Sequence, residues 1–278
     1  MIVEKIINKV IKELKVVSRV VGVVLGGSRA RGTHRLNSDI DIGIYYDESA
    51  GIDLGEISRI ATKLDDEHRE NIITALGEWG PWINGGGWLI VDGYHVDFIF
   101  RDINKVSQVI KQCLSGNLSS HYQAGHPHAY LNAMYMGEIA ICRILEDNQS
   151  KIAKLKDKTI PYPLALKKAI INYFTFESSF SLKFAEDMLG KDDLYYLNGH
   201  CFRSVSCLNQ VLFAINENYC INEKKAVGMI ASFAIKPKNY KERIEQIFSL
   251  LSNDLEGARK GVGILKNLIS ETNIIIDK

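Results

Sequence analysis

A chain of 278 residues with 46% hydrophobic and 24% charged residues is long enough for one large domain or two moderate ones, and its composition excludes a disordered protein. Lys and Arg number 34 against 33 Asp and Glu, so the net charge of +1 gives no basic field for gripping a nucleic-acid backbone, and nucleic acid is not the expected partner. Five cysteines with no CxxC pair and an odd one over read as a reduced chain without a disulfide framework or a structural zinc site.

The opening stretch MIVEKIINKVIKELKVV places Val3, Ile6, Ile7, Val10, Ile11 and Leu14 at three- and four-residue intervals, which predicts an amphipathic helix to about residue 18. Its interspersed charges make it neither a signal peptide nor a membrane span, so a cytoplasmic location with no membrane partner is expected. Val20 to Leu25 and Ile40 to Tyr46 read as strands, and SRARGTHRLNS between them has room for little more than a helical turn. A second helix is expected from Ile52 to about His68, ending in the solvated charge run Asp65-Asp66-Glu67-His68. After the loop GEWGPWINGGG, whose three glycines read as a flexible turn at the rim of a site, Trp88–Val91 and His95–Phe100 form two strands joined by the hairpin dipeptide Asp92-Gly93.

Beyond about residue 117 the pattern is helical, with segments near 128–146, 162–189, 192–217, 222–234 and 239–270, and the only strand-like piece is the IIID near the end. The expected fold class is α+β: an N-terminal α/β domain with a small mixed sheet over 1–116, then a C-terminal helical bundle over 117–278, the boundary lying within 113–127.

The chemistry concentrates in Gly27-Ser28, ten further residues, and Asp39-Ile40-Asp41 at the start of a strand. Side chains two apart on a strand share a face, so Asp39 and Asp41 present paired carboxylates while Ile40 turns to the core. Such carboxylates repel unless a cation lies between them, and hard oxygen ligands suit Mg²⁺ or Mn²⁺. Gly27 and Ser28, where strand gives way to helical turn, aim backbone N–H groups and a hydroxyl at an anion, with Arg29 and Arg31 adding positive charge. A third carboxylate on a neighbouring strand would complete a two-metal arrangement. Asp97, flanked by apolar residues as Asp41 is, fits that place better than Asp92, which reads as a turn residue; Asp102 is expected to cap the next helix.

The run GGSRARGTHRLNSDIDIG resembles the DNA polymerase β-like nucleotidyltransferase superfamily, whose motif is a Gly-Ser turn, an Asp-x-Asp strand and a later lone acidic strand residue. It is similar to the small bacterial members, among them minimal nucleotidyltransferases and those that modify aminoglycoside and lincosamide antibiotics. The resemblance covers about the first hundred residues and implies that Asp39 and Asp41 ligate metal, that Asp97 ligates a second metal or acts as base, and that Gly27 and Ser28 bind the triphosphate.

The attacking hydroxyl still needs a proton acceptor. Glu177 lies in an apolar stripe of the 162–189 segment and would suit a general base if unpaired, whereas pairing with a cation is the plainer alternative; Glu138 and Asp97 are rivals. His200 and Arg203 share a helix face that could meet a phosphate, and His121, His126 and His128 lack the spacing of a zinc motif. The expected reaction transfers a nucleoside monophosphate, AMP with ATP as co-substrate or the corresponding monophosphate of another nucleoside triphosphate, to a hydroxyl of a small molecule such as an antibiotic, releasing pyrophosphate. Alternatives are a toxin–antitoxin type enzyme acting on protein or RNA, or a non-catalytic nucleotide-binding module. A monomer or homodimer is expected.

Overall fold

A computed structural model of the chain describes residues 2–252 and 254–277. Among them no helix is long and apolar enough to cross a membrane. The chain divides into two compact units that interleave in sequence: the first comprises residues 1–112, 121–125 and 135–161, the second 113–120, 126–134 and 162–278.

The first unit is built on a mixed five-stranded sheet. Its elements in chain order are α1 (Ile2–Leu14), β1 (Val20–Leu25), α2 (Gly27–Arg31), β2 (Ile40–Tyr46), α3 (Leu54–Leu64), β3 (Gly86–Val91), β4 (Tyr94–Asp102), α4 (Ile103–Leu114), α5 (Ala133–Ile141), β5 (Arg143–Glu146) and α6 (Lys151–Lys156). The strand order is β3-β4-β2-β1-β5; β2 and β4 run parallel and the other neighbours antiparallel. One sheet face carries Ile40, Ile42, Ile44, Val96, Phe98 and Phe100, all fully buried against Ile6, Ile7, Val10 and Leu14 of α1 and Ile57, Ile60, Ala61 and Leu64 of α3. Helical and strand periodicities meet there, each element presenting its one apolar face to a shared core. Asp53 caps α3 by accepting the Glu56 N–H at 2.9 Å, and Asp102 accepts the Asn104 and Lys105 N–H groups at 3.1 and 3.0 Å, the expected cap of α4. Asp92 and Gly93 both take positive φ, 49° and 78°, as the two-residue hairpin turn requires.

Three expectations need correction. The acidic run after α3 is not simply a solvated end: Asp65 is fully buried, accepts the Ile90 N–H at 2.9 Å and meets the Arg69 guanidinium at 2.6 and 3.0 Å, while Asp66 accepts the N–H groups of Asp92 and Gly93, each at 2.8 Å. These two carboxylates tie α3 to the β3–β4 hairpin. The glycine run is not a loose turn either: Gly86 and Gly87 are buried residues of β3, and a Cβ on either would run into backbone, the Phe98 carbonyl for Gly86 and that of Ile72 for Gly87. Finally, the 128–146 segment is only partly helical; after α5 the chain turns into β5, an edge strand beside β1, and residues 135–161 cluster with the α/β unit.

The second unit is mostly helical, with α7 (Leu164–Asp187), α8 (Leu194–Ile215), α9 (Ala226–Ile230), α10 (Tyr240–Leu250) and α11 (Leu255–Ile276), but it also holds a two-residue strand at Tyr130–Leu131, where the sequence pattern showed only helix. Its core gathers Leu197, Cys201, Val205, Leu208 and Leu212 of α8 with Ile244 and Ile247 of α10 and Val262, Leu265 and Ile269 of α11. Asp193 and Asp254 cap α8 and α11. The expected 239–270 helix is two helices, and the isoleucines of IIID belong to α11 rather than to a strand; three successive apolar residues fit either period.

Candidate active site

The second face of the sheet is where β2 and β4 expose carboxylates. Because the two strands are parallel and paired Ile40 to Val96, Ile42 to Phe98 and Ile44 to Phe100, the alternate pairs Asp41–Asp97, Gly43–Ile99 and Tyr45–Arg101 all project the other way. Asp41 and Asp97 are thus directly opposed on neighbouring strands, both half-buried, and the exposed Asp39 stands two residues before Asp41 at the mouth of β2.

The turn after β1 is shaped around Asp41. Gly26 donates its N–H to the Asp41 carbonyl at 2.8 Å, and Gly27 begins α2 with φ of 58°. A Cβ at position 27 would overlap the Asp41 carboxylate, so glycine is required both by conformation and by space. Ser28 follows in the first turn of α2, whose leading N–H groups have no acceptor within the helix. Half-buried Arg31 ends it, and Gly32 at φ 78° closes it with its N–H on the Arg29 carbonyl.

Arg29 has a role that the sequence reading did not assign. Its Nε donates to the carbonyls of Ser38 and Asp39, each at 3.0 Å, and its Nη2 to those of Ser38 and Leu36 at 2.5 and 3.3 Å. Together with the Arg35 N–H on Ser38 Oγ at 2.9 Å, this planar fork fixes the loop that delivers Asp39. Arg29 acts on the loop backbone, and its charge is held there.

At the far end of the same face, Arg101 is only 4% exposed and forms a two-point pair with Glu138, both contacts at 2.8 Å, beneath the Tyr135 ring. Burial pushes the Tyr45 hydroxyl well above its ordinary value. Glu138, considered as a proton acceptor, is therefore the counter-ion of a buried arginine. Trp88 was also missed: it stands opposite Asp97 in the β3–β4 pairing. The two-residue turn at Asp92-Gly93 already fixes that register by counting outward from Val91 and Tyr94.

The other candidates lie apart from this cluster in the chain. Glu177 and Arg203, both in the helical unit, meet at 2.5 Å, so Glu177 follows the plainer alternative of pairing with a cation. His200 stacks with Phe184 and packs against Tyr196, His121 packs on Trp82, His126 meets Glu223 at 3.2 Å, and burial lowers the pKa of His128. Among the described residues no three His, Cys, Asp or Glu side chains are already gathered as a metal-binding group. The donor chemistry at the sheet nevertheless suits a hard divalent cation: two opposed carboxylates, a third at the strand mouth, and a glycine cradle that a Cβ would fill.

Residues 4–115 match the family model described as the nucleotidyltransferase domain. No curated protein matches the chain. A solved structure of a nucleotidyltransferase-like protein from Exiguobacterium sibiricum 255-15 aligns over 96% of this chain and 74% of its own, with 9% identity and a TM-score of 0.46. By the family model, residues 4–115 are similar to a nucleotidyltransferase domain, the stretch in which the Gly27-Ser28 turn and the Asp39-Ile40-Asp41 strand lie.

Proposed function

We propose that this nucleotidyltransferase moves AMP from ATP to a hydroxyl of a small molecule, an aminoglycoside or lincosamide antibiotic being the leading class, and that it acts in the cytoplasm with Mg²⁺ or Mn²⁺. The observation that carries the reading is the in-register opposition of Asp41 and Asp97 beside the Gly27 turn. Asp39, Asp41 and Asp97 would hold the divalent cation, which when bound supplies charge neutralisation at the phosphates. Gly27 and Ser28 would bind the outer phosphates through N–H groups at the start of α2, with Arg31 beside them. Arg29 keeps Asp39 in place while they do so.

The reaction forms a bond between the acceptor oxygen and the α-phosphorus, breaks the bond from that phosphorus to the bridging oxygen, and releases pyrophosphate with the electron pair. The acceptor's proton must pass to a base. Asp97 serves this role better than Glu177, because Asp97 stands beside Asp41 and the Glu177 carboxylate is engaged by Arg203.

The direct test incubates the protein with Mg²⁺, labelled ATP and separate panels of antibiotics, RNA and proteins. Label on a small hydroxyl compound is the expected result; label on RNA or protein alone overturns the acceptor class, and no Mg²⁺-dependent ATP binding by calorimetry overturns the whole reading. Gly27→Val, whose side chain would displace the Asp41 carboxylate, is expected to abolish ATP binding in that assay.

A further inference from the structure

We propose that the stacked pair Trp79–Trp88 is the seat of the acceptor, and that the hydroxyl to be modified is carried on a ring whose face lies against Trp88. The inference rests on the nucleotidyl-transfer reading above and adds which molecules that site takes and how they are held.

Trp88 is 60% exposed although it lies inside a strand of a well-formed sheet. Its ring stacks on Trp79, the centroids 4.5 Å apart and the planes inclined by 25°. Bare glycine makes room for the stack: a Cβ on Gly86 would come within 2.9 Å of the Trp79 ring. A large aromatic surface is thereby held in one orientation and offered to solvent, where a fixed ring loses little freedom on binding another flat face.

Its position gives it a role. In the β3–β4 pairing Trp88 stands opposite Asp97, and in the β2–β4 pairing Asp97 stands opposite Asp41, whose carbonyl takes the Gly26 N–H. Directly opposed residues share a face, so one row runs across the sheet from the Gly26-Gly27 turn through Asp41 and Asp97 to Trp88, in steps of about 4.8 Å. In nucleotidyl transfer the attacking and leaving oxygens lie roughly in line through the α-phosphorus. With pyrophosphate leaving on the side of the Gly27 turn, the acceptor oxygen enters from the opposite end of the row, which is the Trp88 side. Its proton leaves toward Asp97, the carboxylate between the indole and Asp41. The nucleoside, attached through a third oxygen of the phosphorus, departs from this line and does not compete for the indole.

The test uses tryptophan emission, to which Trp79, Trp82 and Trp88 are the only contributors. The protein, saturated with Mg²⁺ and α,β-methylene-ATP, is titrated with kanamycin and lincomycin as ring-borne alcohols and with sorbitol and a serine tripeptide as ring-free ones. Saturable change with a ring alcohol and none with the ring-free pair is expected. Trp88→Ala should weaken that binding about tenfold or more, the cost of a lost aromatic stack, and Trp88→Phe should restore most of it. Calorimetry should find the affinity for the nucleotide analogue unchanged within about twofold in both variants, as expected for a side chain outside the nucleotide contacts. No saturable response to either ring alcohol, equal ring affinity in Trp88→Ala, or failure of Trp88→Phe to rescue overturns the acceptor seat. Loss of analogue affinity in Trp88→Ala overturns it too, by giving the indole to the base. Failure of the wild-type protein to bind the analogue at all would instead strike the nucleotidyl-transfer reading.

Discussion

On one face of β2 and β4 the in-register pairs are Ile40–Val96, Ile42–Phe98 and Ile44–Phe100, all shut away from water; on the other they are Asp41–Asp97, Gly43–Ile99 and Tyr45–Arg101. The same hydrogen-bond ladder serves both. What separates them is the two-residue period of a strand, by which a slip of one residue would drive the aspartates into the core and the isoleucines into solvent. The hydrophobic face therefore specifies the site: the free energy that buries Ile42 and Phe98 also holds the two like charges of Asp41 and Asp97 side by side. The acidic residues divide in a similar way. Asp65 is buried and answered by Arg69, whereas Asp39 is exposed at the strand mouth.

Substituting one residue on each face tests this division. On the proposed reading, in which both carboxylates hold the metal at the phosphates, Asp41→Asn or Asp97→Asn should cut transfer about a thousandfold or more while costing far less stability than a truncation in the Ile42–Phe98 core. Coupled assays of turnover and thermal melts decide it; a large drop in melting temperature would show that the carboxylates are structural. Phe98→Ala on the opposite face should do the reverse. It should cost about 3–5 kcal/mol in denaturant unfolding, with turnover per folded molecule largely kept. Loss of turnover without loss of stability would mean that the two faces are not separable.

A smaller effect is expected at Asp65. The Arg69 guanidinium beside it holds its carboxyl well below the usual carboxylate range, despite the opposing effect of burial. A folded-state value below the unfolded one contributes stability that is full above about pH 4 and shrinks as pH falls through the folded value. Asp65→Asn should therefore cost roughly 1–3 kcal/mol at neutral pH, as for a charged hydrogen-bond partner lost from a buried site, and flatten the acid side of the stability curve. An acid limb as steep as in the parent protein would count against the pairing. The smallest effect belongs to Glu177→Gln: with that carboxylate engaged by Arg203, kcat should stay within about threefold of the parent. A fall of about 10²–10⁴-fold at unchanged ATP affinity would make Glu177 the general base after all.

Much of this was legible in the sequence because it is local. The alternation around Asp39-Ile40-Asp41 assigned the carboxylates to one face, Asp92-Gly93 fixed a hairpin through the positive φ that its turn needs, and the helical spacing of 162–189 and 192–217 marked α7 and α8 within a few residues. Other features depended on contacts between distant segments. Parallel register cannot be counted from a turn, so only the folded sheet could put Asp97 opposite Asp41, 56 positions on. Glu138 looks like any surface acid until Arg101 is brought to it, and Asp65 until the β3 strand covers it and offers the Ile90 N–H. The four residues of β5 were misread because an edge strand so short has no period of its own to display; the neighbouring β1 supplies the hydrogen-bond partners that make it a strand. Sequence determined where the carboxylates lie along the chain, and tertiary structure decided that Asp65 is tied to β3 and Glu138 to Arg101 while Asp41 and Asp97 stand opposite each other, because pairing between segments far apart in sequence is set only by the packed fold.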